Sequence, residues 1–365
     1  MLLLLLTLVS AFYHVGIASQ AATPVCRDAL SWPFSSDSIW NTCIGSDAVL
    51  SPANLYPINS KTLLAPKKVQ PDDVWFVKTK NTDPVVTVYD QGHWGKPTTN
   101  AAYCNITGKQ NGTLNFPHAL NFTNFGGNNC GVIVAPDNRT LQFIHPLYVC
   151  APGAPVLALT GSSANGARSA DVFTSTGNLG GLGGSGLSGI GGAIRLGQLV
   201  PNAPPISHAL NLQLYAQQYY YPKQPGNSST CWRWPAVQCD DCETCYGGTN
   251  PALVPGALLA VPRATSALLN ASLVTAPARA ILAALTNYGA YIVADAAWPA
   301  VSFCTEGGVQ AEFAAAWNFS FEAQSGTWYD DIVAILRALS IVTNNNPTTQ
   351  GGGGTPLMPP PPPFC

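Results

Sequence analysis

The sequence predicts a mainly β or α+β fold, with a β-sandwich-like core and helices from the C-terminal third packed at one end. The first half of the chain carries short runs of β-branched and aromatic residues bounded by Gly, Pro, Asn and Asp, which are typical of strands. Clear helix start and stop signals occur only in the last third. Strands and helices do not alternate regularly along the chain, and this order favours the predicted class.

Two pairs of strand-like runs lie in the first half. Val74–Lys80 precedes Pro84–Asp90, and Gly131–Pro136 precedes Thr140–His145. A short polar linker separates the two runs of each pair. Linkers of this length between such runs predict β-hairpins, so we expect two of them.

The second half changes from strands to helices. In Ile206–Leu214 apolar residues alternate strictly with others, which predicts a strand with His208 on the face of the leucines. Ala276–Tyr288 follows Thr275 and precedes Gly289, a pattern that predicts a helix. The remaining predicted elements are a hairpin of Ala290–Asp295 with Ala300–Glu306, and helices at Gln310–Trp317 and Thr327–Val342.

The chain divides into three parts. Residues 1–21 form a short apolar segment followed by small residues, which is typical of a secretory signal peptide cleaved after Ala21. Residues 22–345 are predicted to form a single large globular domain. Residues 346–365 contain a glycine run and a proline-rich end, so we expect a Gly/Pro-rich tail in extended polyproline conformation.

Composition favours an extracellular protein. Charged residues make up 9% of the chain and the formal charge is −2, so no basic surface for nucleic acid is predicted. After signal cleavage no membrane association is expected, because no second apolar run has the length of a membrane span. Acceptor sites for N-linked glycans begin at Asn105, Asn111, Asn121, Asn138, Asn227, Asn270 and Asn318. Three of them lie in Asn100–Asn129, which we expect to be a long surface loop.

Eleven cysteines predict disulfide bonds in a secreted chain. The count is odd, and Cys365 at the end of the tail is the candidate for the unpaired thiol. The cluster of Cys231, Cys239, Cys242 and Cys245 could hold zinc, but an oxidising compartment favours disulfides. The cluster also contains Asp240, Asp241 and Glu243, which could hold calcium, although their spacing is not that of a calcium loop. We therefore predict no metal and no cofactor.

Four stretches of the sequence together resemble a known family. They are GGSGLSGIGGAIRLGQL followed by ISHALNLQLYA, the opening WPFSSDSIWN, the segment NYGAYIVADAAW, and NNNP followed by GGGGTP. They are similar to stretches of a largely uncharacterised family of secreted proteins from bacteria and microbial eukaryotes. The resemblance covers most of the mature chain and implies no established activity.

The glycine run within Asn178–Tyr215 has two interpretations. Gly184–Gly189 matches G-x-G-x-x-G, but more glycines follow where a helix should begin and the expected downstream acid is absent, so dinucleotide binding is rejected. The serines of the run also fail the G-x-S-x-G pattern of serine hydrolases. The run is either a tight loop where only glycine fits or a ligand cradle in which Ser185 and Gly186 bind substrate.

Val172–Cys239 contains basic residues but no Asp or Glu, which favours an anionic ligand. Lyase cleavage of an acidic polysaccharide requires a cation at the uronate carboxyl group, with a base and an acid from His or Tyr. Arg195, His208 and Tyr215 could supply these groups as catalytic residues. The alternative for His208 is a buried core histidine with a backbone partner. Two further side chains, Trp232 and Trp234, are candidates for stacking on sugar rings.

Asp295 and Glu306 are a candidate carboxyl pair for a glycoside hydrolase. Such enzymes hold the two groups roughly 5 Å or 6.5–9.5 Å apart. In the predicted hairpin the two residues would be about 20 Å apart, so that register excludes them as a catalytic pair.

Three function classes follow from these observations. The first is a secreted enzyme acting on extracellular polysaccharide, with lyase-type cleavage of an acidic glycan as the leading reaction. The second is a non-catalytic carbohydrate-binding protein. The third is a structural glycoprotein of a cell wall or extracellular matrix.

Overall fold

A computed structural model describes residues 26–58, 64–91, 104–120, 130–158, 168–180, 182–240 and 244–365. The predicted signal peptide and Asn121 lie outside these ranges. The strands are β1 Leu50–Pro52, β2 Lys68–Lys78, β3 Val85–Asp90, β4 Lys109–Asn115, β5 Cys130–Val134, β6 Thr140–Ile144, β7 Tyr148–Val149, β8 Val156–Ala158, β9 Arg168–Asp171, β10 Leu210–Tyr215, β11 Leu258–Ala260, β12 Ala290–Ala296, β13 Ala300–Glu306 and β14 Ser340–Val342. The helices are α1 Ala216–Tyr219, α2 Arg263–Ser272, α3 Ala276–Asn287, α4 Val309–Trp317 and α5 Thr327–Arg337.

Two sheets contain these strands, which confirms the predicted mainly β or α+β class. The larger sheet has the order β1-β14-β11-β12-β10-β13-β2-β5-β6-β9, and the smaller one has the order β4-β3-β8-β7. The larger sheet is mixed. Its centre is partly parallel, because β10 runs parallel to β12, and β2 runs parallel to both β13 and β5.

One face of the large sheet is covered by helices at one end and by the small sheet at the other. The leucines of β10 pack with the buried residues of α3, α4 and α5. Val77 on β2 packs with Ile133 and with Val88 of the small sheet. Val69 and Val77 lie an even number of residues apart on β2 and therefore share a face, and Val69 belongs to the cluster under the helices. The helices and the small sheet therefore cover the same face of the large sheet.

The opposite face of the large sheet is covered by the glycine run and by the segment around Trp40. A Cβ atom on Gly191 would lie 2.3 Å from the Trp40 ring, and one on Gly192 would lie 2.4 Å from Asn211 Oδ1. Only glycine allows the backbone to come this close. This supports the tight-loop interpretation for that part of the run.

Two of the three predicted hairpins are wrong. β2 and β3 belong to different sheets, because both edges of β2 are occupied by β13 and β5. β12 and β13 are separated by β10, which pairs with both of them. The hairpin of β5 and β6 is confirmed, with Gly131 opposite Ile144. Short linkers are compatible with a local hairpin, but hydrophobic packing of the whole sheet decides which strands pair.

The predicted secondary-structure elements are otherwise close to those observed. α3 matches the predicted helix, and Gly289 beyond it has a φ of 77°. The strand predicted from Ile206 begins only at Leu210, so His208 precedes it. The helix predicted to extend to Val342 ends at Arg337, and β14 follows it. The predicted loop at Asn100–Asn129 contains β4 in its described part.

Residues 346–365 pack against the domain, although we predicted an extended tail. Cys26 and Cys365 form a disulfide, so Cys365 is not the unpaired cysteine. The Arg27 guanidinium group donates a hydrogen bond to the Pro362 carbonyl group and lies over the Phe364 ring. Tertiary contacts and the cross-link therefore hold a segment whose composition alone does not predict packing.

The other described cysteines divide into paired and free groups. Cys104 bonds to Cys150 and Cys231 bonds to Cys239. Cys245 is also disulfide-bonded, so described members of the cysteine cluster form disulfides, as predicted. Three described cysteines are free and buried, where we expected one: Cys43, Cys130 and Cys304.

The disulfides bear on the cellular location of the chain. Disulfides of this number are compatible with a secreted protein. The helices in the described ranges are all too short or too polar to cross a membrane. The asparagines of the six glycan acceptor sites that the structure describes are exposed.

Candidate active site

The candidate site lies where two central strands end side by side. β10 and β12 run parallel, with Leu214 opposite Asp295 and Tyr215 opposite Ala296. A bulge at Val293 shifts the register just before this point. Ligand sites are common beyond the carboxyl ends of parallel strands, and bulges often change the direction of side chains near such sites. Asp295 is therefore in a position typical of functional residues.

Asp240 reaches this edge from a loop that a disulfide restrains. The Cys231–Cys239 bond closes the loop immediately before it. The Asp240 carboxyl group lies within hydrogen-bonding reach of the Asp295 carboxyl group. Two carboxyl groups in contact cannot both be ionised without strong repulsion, so the pair favours holding one proton.

Two tyrosines pack against the carboxyl pair. The Tyr246 hydroxyl group donates a hydrogen bond to Asp240 Oδ2 at 3.2 Å and accepts one from the Asp240 N–H at 3.3 Å. The Tyr220 hydroxyl group donates to the Ala294 carbonyl oxygen at 2.7 Å and stacks edge-on against Tyr246. These contacts hold Asp240 and the end of β12 in place.

The glycine run touches this site at Gly184. A Cβ atom there would lie 2.4 Å from Asp240 Oδ2, so only glycine lets the backbone lie against the carboxyl group. The Ser185 carbonyl group accepts a hydrogen bond from Val237 N–H at 3.1 Å, which joins the run to the loop that carries Asp240. Ser185 itself is fully buried, and Gly186 has a φ of 73°. Ser185 and Gly186 therefore form part of the buried turn beside the carboxyl pair.

The environment of the pair changes the acidity of Asp240. Burial raises the pKa of Asp240 well above its ordinary value of 3.8, and the neighbouring Asp295 carboxyl group raises that pKa further. Burial penalises the charged form, and a like charge does the same. A carboxyl group that keeps its proton towards neutral pH can act as a general acid.

Two of the predicted catalytic residues lie at a different place. Arg195 Nε donates to Glu306 Oε2 at 2.8 Å in a buried ion pair, and the guanidinium group lies 4.7 Å from the centre of the Phe76 ring. His208 is buried, with Nδ1 2.9 Å from the Ala209 carbonyl oxygen and Nε2 3.0 Å from Gln198 Nε2. Burial, and to a smaller extent the Arg195 charge, lowers the pKa of His208 to about 4. The structure thus brings Arg195 and His208 together.

Tyr215 is separated from that pair. It ends β10, whereas His208 precedes the first residue of the strand, and five residue steps along a strand alone cover about 17 Å. Tyr215 instead lies opposite Ala296, next to Asp295. The tyrosine that we predicted for one site therefore lies beside the other.

The two predicted stacking residues are partly buried. Trp232 packs against the cluster under the helices, and Trp234 packs against the cluster under the glycine run. Neither belongs to the strongly exposed hydrophobic side chains of the described residues.

Asp295 and Glu306 do not form a pair, as predicted, but the reason differs from the predicted one. β10 lies between their strands, and Leu212 faces Phe303, so Leu214 is level with Val301. Glu306 is five residues further, about 17 Å away. Asp240, the carboxyl group that does lie beside Asp295, was considered from the sequence only as a possible calcium ligand. No local signal joins Asp240 to Asp295, because their contact depends on the disulfide-bonded loop folding back to the sheet edge.

Neither a metal site nor a similar protein identifies the function of this site. In the described ranges, no group of three or more His, Cys, Asp or Glu side chains is arranged to hold a metal ion. No protein-family model, curated protein or solved structure matches this chain.

Proposed function

We propose that the protein is an extracellular hydrolase that cleaves polysaccharide by acid–base catalysis at Asp240 and Asp295. The observation that supports this most is the close carboxyl pair at the end of two central strands, with the pKa of Asp240 raised by burial and by Asp295. Such a pair supplies an acid and a base in one place.

The roles of the two carboxyl groups follow from their surroundings. Asp240 lies against the buried Tyr246 ring and is the group we assign as proton donor to the leaving glycosidic oxygen. Asp295 accepts the proton of the attacking water. The bond between the sugar carbon and the bridging oxygen breaks, the water oxygen bonds to that carbon, and the pair again holds one proton.

Substrate must part the two carboxyl groups for this reaction. Glycoside hydrolases hold their carboxyl groups about 5 Å or 6.5–9.5 Å apart, farther than a hydrogen-bonded contact. A sugar oxygen that enters between Asp240 and Asp295 would break their contact. A pair that stays in contact and activates water between its members is instead typical of aspartic peptidases.

Polysaccharide is favoured over peptide by the aromatic side chains at this edge. Tyr215 and Trp298 both lie near the end of β12, and aromatic rings suit the apolar faces of sugars. The disulfides are compatible with an extracellular substrate. Peptide cleavage is the outcome that would redirect the proposal.

A second candidate is the predicted lyase-type cleavage at Arg195 and His208. One observation favours it: Arg195 Nη1 is buried and has no hydrogen-bond partner among the described residues. A uronate carboxylate could take that position beside the neutral His208. The ion pair with Glu306 opposes this, because it already offsets much of the Arg195 charge.

Incubation of the purified protein with polysaccharides and with a protein substrate separates these possibilities. Cellohexaose, xylan, laminarin, polygalacturonate, alginate and casein form the panel. We expect new reducing ends without unsaturated sugars, loss of cleavage in Asp295→Asn and Asp240→Asn, and full activity in the matched surface control Asp330→Asn.

Each other result has a defined meaning. Unsaturated products that depend on His208 would select the lyase reaction. Cleavage of casein alone would replace polysaccharide by peptide as the substrate. Binding without cleavage would select a carbohydrate-binding protein. The absence of both binding and cleavage would select a structural glycoprotein.

A further inference from the structure

Trp298 has an unusual position for an exposed tryptophan. Its relative exposure is 50%, and it is the one aromatic residue among the strongly exposed large hydrophobic side chains of the described residues. It lies in the connection from β12 to β13, which passes the end of β10 because β10 lies between those strands. It lies three positions after Asp295, so the two Cα atoms are at most about 11 Å apart.

The Trp298 ring is held in place although it is exposed. Its Nε1–H donates to Gln70 Oε1 at 3.3 Å. Gln70 Nε2 in turn donates to Ser302 Oγ at 3.0 Å, and these two residues face each other on β2 and β13. A ring anchored through its N–H to two strands keeps its orientation while part of its surface remains open to solvent.

We infer that Trp298 forms a stacking subsite for a sugar ring next to the carboxyl pair. This inference rests on the proposed polysaccharide hydrolase function. A ring that is already oriented loses little conformational freedom on binding, and the apolar face of a pyranose can cover its open surface. The subsite would hold a sugar unit adjacent to the bond that Asp240 and Asp295 cleave.

The inference predicts a specific pattern among three variants. Trp298→Ala should weaken binding about tenfold and raise KM by a similar factor, with kcat at saturation changed less than KM. Trp298→Phe keeps an aromatic face and should retain most of the affinity. Leu268→Ala removes another exposed apolar side chain, on α2, and should bind like the parent protein.

Binding is measured by affinity electrophoresis of the intact, disulfide-bonded protein in gels that contain xylan, laminarin or polygalacturonate. The Asp295→Asn background prevents cleavage during the run. Retardation that Trp298→Ala reduces and Trp298→Phe preserves supports the subsite. Equal retardation of Trp298→Ala and the parent, or no retardation with any polysaccharide, overturns it.

The two proposals fail in different ways. If the protein binds polysaccharide through Trp298 but forms no new ends, the catalytic function is wrong and the subsite stands. If the protein cleaves polysaccharide and Trp298→Ala has an unchanged KM, the hydrolase stands and the subsite is wrong. Circular dichroism and melting of each variant confirm that the compared proteins are folded.

Discussion

The Asp240 carboxyl group lies within hydrogen-bonding reach of the Asp295 carboxyl group, although one residue follows a disulfide-closed loop and the other lies near the end of a central strand. Burial and proximity together favour a state in which one of the two keeps its proton. The same contact that makes the pair suitable for acid–base chemistry also makes the stability of the fold depend on pH.

The raised pKa of Asp240 predicts a loss of stability as pH rises. The folded state binds more protons than the unfolded state between the ordinary Asp pKa of 3.8 and the raised value, so its advantage is complete below that window and falls as pH increases through it. Asp240→Asn resembles the protonated form and should make the melting temperature less dependent on pH. Thermal unfolding across pH 4 to 9 provides the measurement.

Asp330→Asn is the control for that experiment, because Asp330 is exposed. It should keep the pH dependence of the parent protein. If Asp240→Asn and the parent lose stability equally with rising pH, the carboxyl pair does not hold the shared proton.

His208 predicts a pH dependence of the opposite sign. Its folded pKa is about 4, below the ordinary 6.5, so the unfolded state binds more protons in that window. The associated stability is present above pH 6.5, falls as pH decreases towards 4, and amounts to about 3 kcal/mol. His208→Gln should remove this acid sensitivity, whereas His118→Gln at an exposed position should not.

The same His208 variant tests its predicted catalytic role. A destabilised protein with unchanged polysaccharide cleavage would assign His208 to the core. Loss of cleavage with an unchanged melting temperature would favour the lyase candidate and count against the carboxyl pair.

The Cys26–Cys365 disulfide predicts that the C-terminal segment contributes to stability. It joins residues 339 positions apart, so its removal frees a large loop in the unfolded chain. The double variant Cys26→Ser, Cys365→Ser should lower the free energy of unfolding by about 2–5 kcal/mol and make residues 346–365 more sensitive to protease. Unchanged stability and unchanged cleavage would mean that noncovalent contacts alone hold the segment.

The buried thiols predict a specific alkylation pattern. Cys43, Cys130 and Cys304 should resist iodoacetamide in the native protein, because each is buried, and should react in denaturant without reductant. Peptide mapping by mass spectrometry identifies the modified positions. Alkylation of Cys26, Cys104 or Cys231 under the same conditions would contradict the disulfides described above.

The sequence predicted local structure well and strand pairing poorly. The helix at α3 was recognisable from its flanking residues, and the alternation of leucines in β10 identified a strand with two different faces. These features depend on residues close together in the chain. The hairpins of β2 with β3 and of β12 with β13 were wrong because pairing depends on which distant strand fills each edge.

The site shows the same division. Arg195 and His208 were predicted to lie together and do, through Gln198, since they come from segments near in sequence. Tyr215 was assigned to them and lies elsewhere, because a strand places its two ends far apart.

By itself, the sequence determined the fold class, the disulfide-rich character and the local periodicity, because composition and the spacing of side chains along a strand or helix are properties of neighbouring residues. Only the tertiary structure decided that Asp240 meets Asp295, that Gly184 lies against them, and that the proline-rich end packs on the domain. Those contacts join residues that are distant in the chain, and they form only when the burial of the whole core offsets the entropy of bringing them together.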